Sequence, residues 1–590
     1  MKGNSMAVPI ERILENVQKP GRYTGGETNT VVKDQAPSAL SVAIAYPDTY
    51  EIGMSYLGLR ILYHLLNDMP DVVCERVFAP WVDMEERLRK YGRKLFSLES
   101  GRDLCRFDVI GFSLSYELTY TNVLNMLDMG GVPVLASRRE DSDPLVIAGG
   151  ACCFNPEPMS DFIDVFFIGD AEETLPDFLR HYRELRREHR LSRHESLKRL
   201  AGMKGIYIPA FYREAEGPDG AGGMEPVMDG VPRRVEKASV PDLDKAYYPV
   251  EQIVPLVRTV HDRIAVEIMR GCPNKCRFCQ ASAINRPVRT RSVETVRQLC
   301  RRTYSATGYE SIALLSLSSV NYPWLSELVK GLNSDFRKKG VALSIPSLRV
   351  DEAFYEMPEM LSVIKKGGLT FAPESADGDI RKAIGKDIDI EVLCRSSFLA
   401  YKHGWRSLKL YFMVGFPGDP GKEAERIISL SRELSGLRRQ AAGGAAEIKV
   451  SVNPFIPKPH TPFQWLGMKA PSGLQEVRKA LLDNSSRRIK ISFNDISGSV
   501  LEACMSRGSR KTGSVIYRAW KKGARMDSWS EHFDIHIWER SFSEEGMDMY
   551  REACKRFDPD DVLPWSHIAA AGDPEALKKE LFESGYADAL

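Results

Sequence analysis

Apolar and polar positions in this chain recur in a fixed order: a short apolar run, a turn, then a stretch with the 3.6-residue period of an amphipathic helix. Apolar runs at Ser41 to Tyr46, Val109 to Leu114, Leu145 to Ala148 and Asp164 to Ile168 are separated by helical patterns such as Tyr56 to Leu66 and Leu118 to Met129. That alternation predicts an α/β fold, with parallel strands flanked by helices. It places a doubly wound module over residues 36–182, behind an N-terminal extension of residues 1–35. Residues 183–247 read as helix and linker: Leu175 to Leu200 is a charged helix, and Gly217 to Arg234, rich in glycine and proline, is a linker or exposed hairpin. The strand-then-helix rhythm returns over residues 248–467. After a strand at Arg263 to Met269, candidates are Ser311 to Leu317, Ala342 to Ile345, Leu369 to Ala372, Ser407 to Val414 and Glu447 to Val452. Residues 468–590 read as a small, basic C-terminal α+β region.

Composition fits this division. A chain of 590 residues has room for about three or four domains. Its apolar fraction of 43% and formal charge of +1 exclude a disordered chain. No apolar run approaches the roughly 20 residues that span a bilayer, and the N-terminus lacks the apolar core of a signal peptide. No membrane partner is expected. Eleven cysteines scattered over the chain form no compact disulfide framework, so a reducing cytoplasm is the expected location.

Three of those cysteines stand together in Arg270-Gly271-Cys272-Pro273-Asn274-Lys275-Cys276-Arg277-Phe278-Cys279, on the loop that leaves the Arg263 to Met269 strand. In parallel α/β folds, chemistry is placed at that end of a strand. Thiolates spaced CxxxCxxC can share one iron-sulfur cluster, and three of them leave one iron of a four-iron cluster without a protein ligand. A zinc site is the alternative, but zinc takes four ligands. No histidine lies between Asp262 and Tyr401, and Cys300 falls in a helical pattern downstream. The other cysteines read as small apolar residues.

The CxxxCxΦC pattern, with Phe278 before the last cysteine, resembles the radical S-adenosylmethionine (SAM) superfamily. The resemblance implies a 4Fe-4S cluster on Cys272, Cys276 and Cys279, and SAM at its open iron. It also implies a partial (β/α)6 barrel and a reducing donor of flavodoxin or ferredoxin type. Carried over position by position, it assigns SAM contacts to Ser318 and Ser319 after the second strand. At the fourth strand it assigns them to Glu374 and Ser375, where Phe371-Ala372-Pro373-Glu374-Ser375-Ala376 resembles an "ESG" element. At the fifth, Gly415-Phe416-Pro417-Gly418 resembles a "GLPGE" element with Asp419 in place of the glutamate, so Gly415 and Gly418 would let the backbone approach adenine. Lys382 and Lys386 read as facing solvent or an anionic group, with solvent the plainer expectation, and His460 reads as a surface residue.

The N-terminal module reads as flavodoxin-like, and it resembles the cobalamin-binding domains often joined to radical SAM barrels. Asp48-Thr49-Tyr50-Glu51-Ile52-Gly53 aligns with their DxHxxG motif, with Tyr50 where a cobalt-ligating histidine would stand. Asp48, Gly53, Ser113, Gly149 and Gly150 are the residues this assigns to cobalamin, held by shape. With the phrase Pro20-Gly21-Arg22-Tyr23, these elements resemble radical SAM proteins that carry an N-terminal cobalamin-binding-like domain. That likeness runs from about Val8 to Phe557 and leaves the substrate open. Methyl transfer or another C–H functionalisation is implied, of RNA or protein. Methylthiolation stays open, although no second cysteine trio suggests an auxiliary cluster.

The C-terminal region adds the second reading. Between Glu476 and Arg525, twelve Lys or Arg residues face four acids, with Tyr517 and Trp520 interleaved. Basic and aromatic residues can hold a nucleic-acid backbone and stack its bases. The alternative function is therefore a non-catalytic nucleic-acid-binding protein with a structural metal. For these residues themselves, a solvated helical surface is the plainer expectation.

Overall fold

The computed structural model of the chain describes residues 9–34, 36, 38–215, 223–345, 369–386, 388–418, 420–570 and 572–587. Six strands form the N-terminal sheet: β1 (Leu40–Tyr46), β2 (Val72–Phe78), β3 (Val109–Ser113), β4 (Leu145–Gly149), β5 (Val165–Phe167) and β6 (Ile206–Tyr207). Their spatial order is β2-β1-β3-β4-β5-β6. The first five are parallel and β6 closes the edge antiparallel. This is the flavodoxin-like order with one strand added. Every residue of β1, β2 and β3 is buried, as in a parallel sheet with both faces covered.

Strand β2 escapes the sequence pattern because Glu75 and Arg76 interrupt its apolar run. Both are buried with partners. Arg76 Nη2 lies 2.8 Å from Glu27 Oε2 and its Nε 2.6 Å from Glu99 Oε1, while Ser97 Oγ donates to Glu75 Oε2. Tyr50 donates to Glu27 Oε1 at 2.8 Å. A buried charge is tolerated only when paired and hydrogen-bonded, and here the N-terminal segment supplies the partner.

The predicted charged helix is two helices, Thr174–Arg183 and Arg193–Leu200, joined by a π turn at Glu184–Glu188. The glycine-rich linker lies partly outside the described residues. Its flanks, Tyr212–Glu214 and Met224–Pro226, pair antiparallel.

Beyond it, strands Ile264–Glu267, Ser311–Leu315 and Ala342–Ser344 form one parallel sheet. Strands Leu369–Glu374, Ser407–Val414, Glu447–Pro454 and Ile489–Phe493 form another. The last of these lies past residue 467, so the sheet extends into the sequence read as C-terminal region. Its alternating Lys490 and Ser492 gave a weak strand signal within a basic run.

The C-terminal helices Ile496–Ser506 and Arg510–Lys521 pack back onto the N-terminal domain. Asp48 accepts hydrogen bonds there from Trp529 Nε1 (2.9 Å) and Ser528 Oγ (3.2 Å). Asp527 accepts from Thr121 Oγ1 (2.6 Å) and Trp538 Nε1 (3.0 Å).

Burial pushes the Asp527 carboxyl up to about 6, against the pull of its two donors. Its pKa is therefore higher in the folded than in the unfolded chain. The native state holds the proton more tightly, so this group removes stability as pH rises from about 4 to 6, by roughly 3 kcal/mol in all. Asp527→Asn is expected to stabilise the chain by about 1–3 kcal/mol at pH 7, an advantage that disappears below about pH 4. Urea unfolding of parent and variant at pH 4, 5.5 and 7 checks this; a stability difference that stays constant with pH would refute it.

Candidate functional site

The cysteine loop leaves the strand Ile264–Glu267 through Met269–Arg270, which pairs antiparallel with Arg289–Thr290. Gly271 has φ +86°, and a Cβ there would meet Asn285 O at 2.7 Å; only glycine makes this turn without strain. Cys272 is buried and Cys276 and Cys279 are half-buried. Asn274 Nδ2 lies 3.2 Å from Cys272 Sγ, and the Ser282 N–H donates to Cys279 Sγ at 3.4 Å.

All three thiols open into one cavity of about 340 Å3, with Ser318, Phe371, Glu374, Lys386 and Tyr411 among its other walls. Among the described residues no three His, Cys, Asp or Glu form a group that could hold a metal ion. Three thiols on one cavity are the donor set that a four-iron cluster takes, each thiolate on a different iron. The donor set therefore fits the cluster.

Glu374 faces the same cavity from a strained position. Its φ is +65°, rare for a residue with a side chain, and the strand pairing shifts register between Phe371 and Glu374. Lys386 Nζ stands 2.6 Å from Glu374 Oε1. Lys386 is buried, which corrects its reading as a solvent-facing lysine. Ser318 lines the cavity and donates to Asn321 Oδ1 at 2.7 Å; Asn321 Oδ1 also accepts from Asn274 Nδ2 at 3.1 Å. Asn274, Asn321 and Lys386 thus belong to the site although no motif signalled them.

The other residues assigned to SAM lie outside this cavity. Ser319 is fully buried against Ser316 Oγ, 2.9 Å away. Ser375 Oγ accepts from Asp377 N at the start of the next helix. Gly415 N donates to Glu423 Oε2 at 3.4 Å, and Gly418 O accepts from Lys469 Nζ at 3.2 Å. Asp419 lies outside the described residues.

A second cavity, of about 500 Å3, opens between the two domains. Ser113, Gly149 and Gly150 border it at the carboxyl ends of β3 and β4, where open α/β sheets bind ligands. Gly150 has φ +121°, and a Cβ there would meet Leu114 O at 2.4 Å; at Gly149 it would meet nothing closer than Phe167 Cβ, 3.7 Å away. The facing wall is Glu267, Arg270, Gly271 and Leu317. Leu317 borders both cavities.

Asp48 and Gly53 do not border it. Asp48 is turned toward Trp529, and Gly53 is pressed against Phe78 and Tyr46, which a Cβ would meet at 2.4 and 3.1 Å. Tyr50 is committed to Glu27.

An ion-pair cluster spans the same junction. Arg270 reaches Glu267 (2.9 Å), Glu172 (2.6 Å) and Asp170 (3.1 Å), and Asp170 also pairs with Arg289 at 2.5 Å. Burial raises the Asp170 carboxyl, but the two guanidinium groups outweigh it and hold it below its ordinary value.

His460 is buried, not a surface residue. Its Nε2 lies 2.7 Å from Phe154 O, and burial lowers its pKa to about 4. Part of the basic C-terminal run is paired with carboxylates. Arg510 pairs with Glu157 (2.7 Å), Lys522 with Glu544 (2.6 Å), Arg525 with Glu85 (3.2 Å) and Lys490 with Glu447 (3.2 Å). Tyr517 stacks on Phe162. These contacts occupy part of the residue set on which the nucleic-acid-binding alternative rests.

Residues 58–209 match the N-terminal family of radical SAM proteins and residues 266–431 the radical SAM superfamily. An uncharacterised protein of Methanocaldococcus jannaschii is 25% identical over 512 residues, 84% of this chain and 98% of that one. The ribosomal protein uS12 methylthiotransferase RimO of a Synechococcus strain is 23% identical over 302 residues, 48% of this chain and 59% of its own length. Among solved structures, the radical SAM methyltransferase TsrM from Kitasatospora setae, with cobalamin and a 4Fe-4S cluster bound, superposes with a TM-score of 0.51 at 12% identity. It covers 86% of this chain and all of that one. This likeness establishes the fold. No helix among the described residues is long and apolar enough to cross a membrane.

Proposed function

Since this chain is a radical SAM enzyme, carrying that superfamily's N-terminal and core domains in order, we propose that Cys272, Cys276 and Cys279 hold its 4Fe-4S cluster and that it acts as a methyltransferase. The observation that carries this reading is the pairing of cavities. The three thiols share one cavity with Ser318 and the Glu374–Lys386 pair, and Leu317 separates it from a larger one at the domain junction. The cluster and SAM supply reductive cleavage of a carbon–sulfur bond, and a cobalamin in the junction supplies a methyl carrier.

The protein's part is binding and orientation. Glu374, ionised and acceptor-only, suits the ribose hydroxyls or amino group of SAM, with Lys386 fixing its direction. Ser318 and Asn274, bridged through Asn321, tie the second strand to the cysteine loop. Phe371 and Tyr411 give the cavity apolar walls that exclude water. In the junction, Gly149 leaves backbone room for a corrinoid, whereas Gly150 makes room for the Leu114 backbone. With Tyr50 bound to Glu27, that side chain is not free to ligate cobalt, and a corrinoid would be held by shape. Methyl transfer is favoured over methylthiolation because the remaining cysteines form no second trio.

Gly149→Leu tests this reading. Its side chain fills the junction without a backbone clash, so cobalamin binding followed by visible absorption is expected to weaken by about tenfold or more, the cost of overfilling a site. Iron content and 5'-deoxyadenosine formation should hold. Undiminished cobalamin binding would place the corrinoid elsewhere. No cobalamin uptake by the parent, together with no S-adenosylhomocysteine among its products, would refute the methyltransferase reading.

A further inference from the structure

A third cleft, of about 550 Å3, shares only Cys272 with the cavity described above. Its other walls are Pro273 and Lys275 from the cysteine loop, Arg286, Pro287 and Val288 from the segment after it, and Lys237 and Gly572. Three cations line it and no carboxylate does. None of the three forms an ion pair among the described residues. Lys237 is fixed by donating to Ile284 O (2.8 Å) and to Arg286 O. Lys275, Pro273 and Pro287 are exposed, and Val288 is 39% exposed. On a chain of formal charge +1, this is a local concentration of positive charge around a small apolar patch. Cys272 borders both this cleft and the cysteine cavity.

We infer that this cleft is the docking site of a small acidic one-electron carrier protein, which delivers the electron that the cluster requires. The inference rests on the reading of Cys272 as a cluster ligand. Charge complementarity selects the partner: an acidic carrier is steered to an unpaired basic cleft. Val288 and the two prolines offer the rigid apolar contact found at the centre of small interfaces. Position selects its function, because a carrier seated here borders the residue Cys272 of the cluster loop and does not obstruct the SAM cavity. The step is a single-electron transfer. The carrier is oxidised by one electron, the cluster is reduced by one, and no bond or proton changes hands at the surface.

The test uses the reconstituted protein with reduced ferredoxin as the probe. The parent is compared with Lys275→Glu/Arg286→Glu and with a remote charge-reversed control, Arg478→Glu/Lys479→Glu. Cluster reduction by ferredoxin, followed by electron paramagnetic resonance, is expected to slow by about 10- to 100-fold in the cleft variant at low salt, the range of electrostatic steering. The difference should shrink as salt rises. Ferredoxin affinity, measured by calorimetry on the unreduced proteins, should fall in parallel. Iron content and the rate of reduction by dithionite should match the parent, as should every property of the control.

Reduction of the cleft variant by ferredoxin at the parent's rate would overturn the docking site and leave the cluster assignment intact. A parent that takes up no iron would overturn both. Should the charge-reversed pair assemble no cluster, Lys275→Gln/Arg286→Gln is read the same way, with about half the effect on a logarithmic scale.

Discussion

Alanine at Cys272, Cys276 and Cys279 together is expected to abolish iron uptake and to reduce SAM cleavage to background. The loss should be all-or-none because these thiols supply every protein bond to the proposed cluster. Each single replacement should also fall to background, since a cluster held by two thiolates exposes a second iron and is readily lost. The fold should survive. Cys276 and Cys279 are only half-buried, and the loop is held by other bonds, such as Ser282 Oγ to Asn274 O at 2.8 Å and Arg277 Nη1 to Ala383 O at 2.8 Å. Anaerobic reconstitution, iron and sulfide analysis, and chromatographic detection of 5'-deoxyadenosine form the measurement, with circular dichroism to confirm folding. A folded triple variant that still binds iron and cleaves SAM would end the assignment. A parent that binds zinc and refuses iron would do so as well.

The parts of this site that could be read from sequence are those whose members lie close together in the chain. The three cysteines fall within eight residues on one loop, and Glu374 was marked by its neighbours in a motif. Lys386 was not: on sequence it is one lysine among several in a helical pattern, and it becomes part of the site because folding buries it 2.6 Å from Glu374. The Asn274–Asn321 bond joins loops that share no pattern. Asp48 shows the opposite case, a residue in a legible motif whose packing was not legible. Its oxygens are claimed by Trp529 and Ser528, a long-range contact that no local window contains. The same holds for β2, whose Glu75 and Arg76 look like surface residues until Glu27, Glu99 and Ser97 close around them. Parallel strands with uninterrupted apolar runs were legible because burial on both faces leaves a simple signature; paired charges inside the core leave none.

The junction between the domains depends on one such buried group, and its loss is expected to be severe. Arg270 is 11% exposed at its side chain. Burial opposes its charge, but Glu267, Glu172 and Asp170 outweigh that and hold its pKa well above the ordinary arginine value. Two guanidinium groups, Arg270 and Arg289, face three carboxylates here. Arg270→Met keeps most of the side chain's bulk and leaves one cation against three anions at the mouth of the junction cavity. Breaking a buried pair from one side costs about 3–5 kcal/mol, and the residue lost directly precedes Gly271 and Cys272, so cluster occupancy should fall with it. Glu172→Gln in the Arg270→Met background is expected to restore about 1–2 kcal/mol, because it removes one uncompensated charge. In the parent, depression of the Asp170 carboxyl means that its contribution to stability is present above the unfolded carboxylate range and is lost as pH falls. In Arg270→Met the deficit should instead shrink as acid neutralises the excess negative charge. Urea unfolding of the parent, the two single variants and the double variant at pH 5 and pH 7.5 measures both effects. Strictly additive losses, or a deficit independent of pH, would show that the cluster does not hold the domains together.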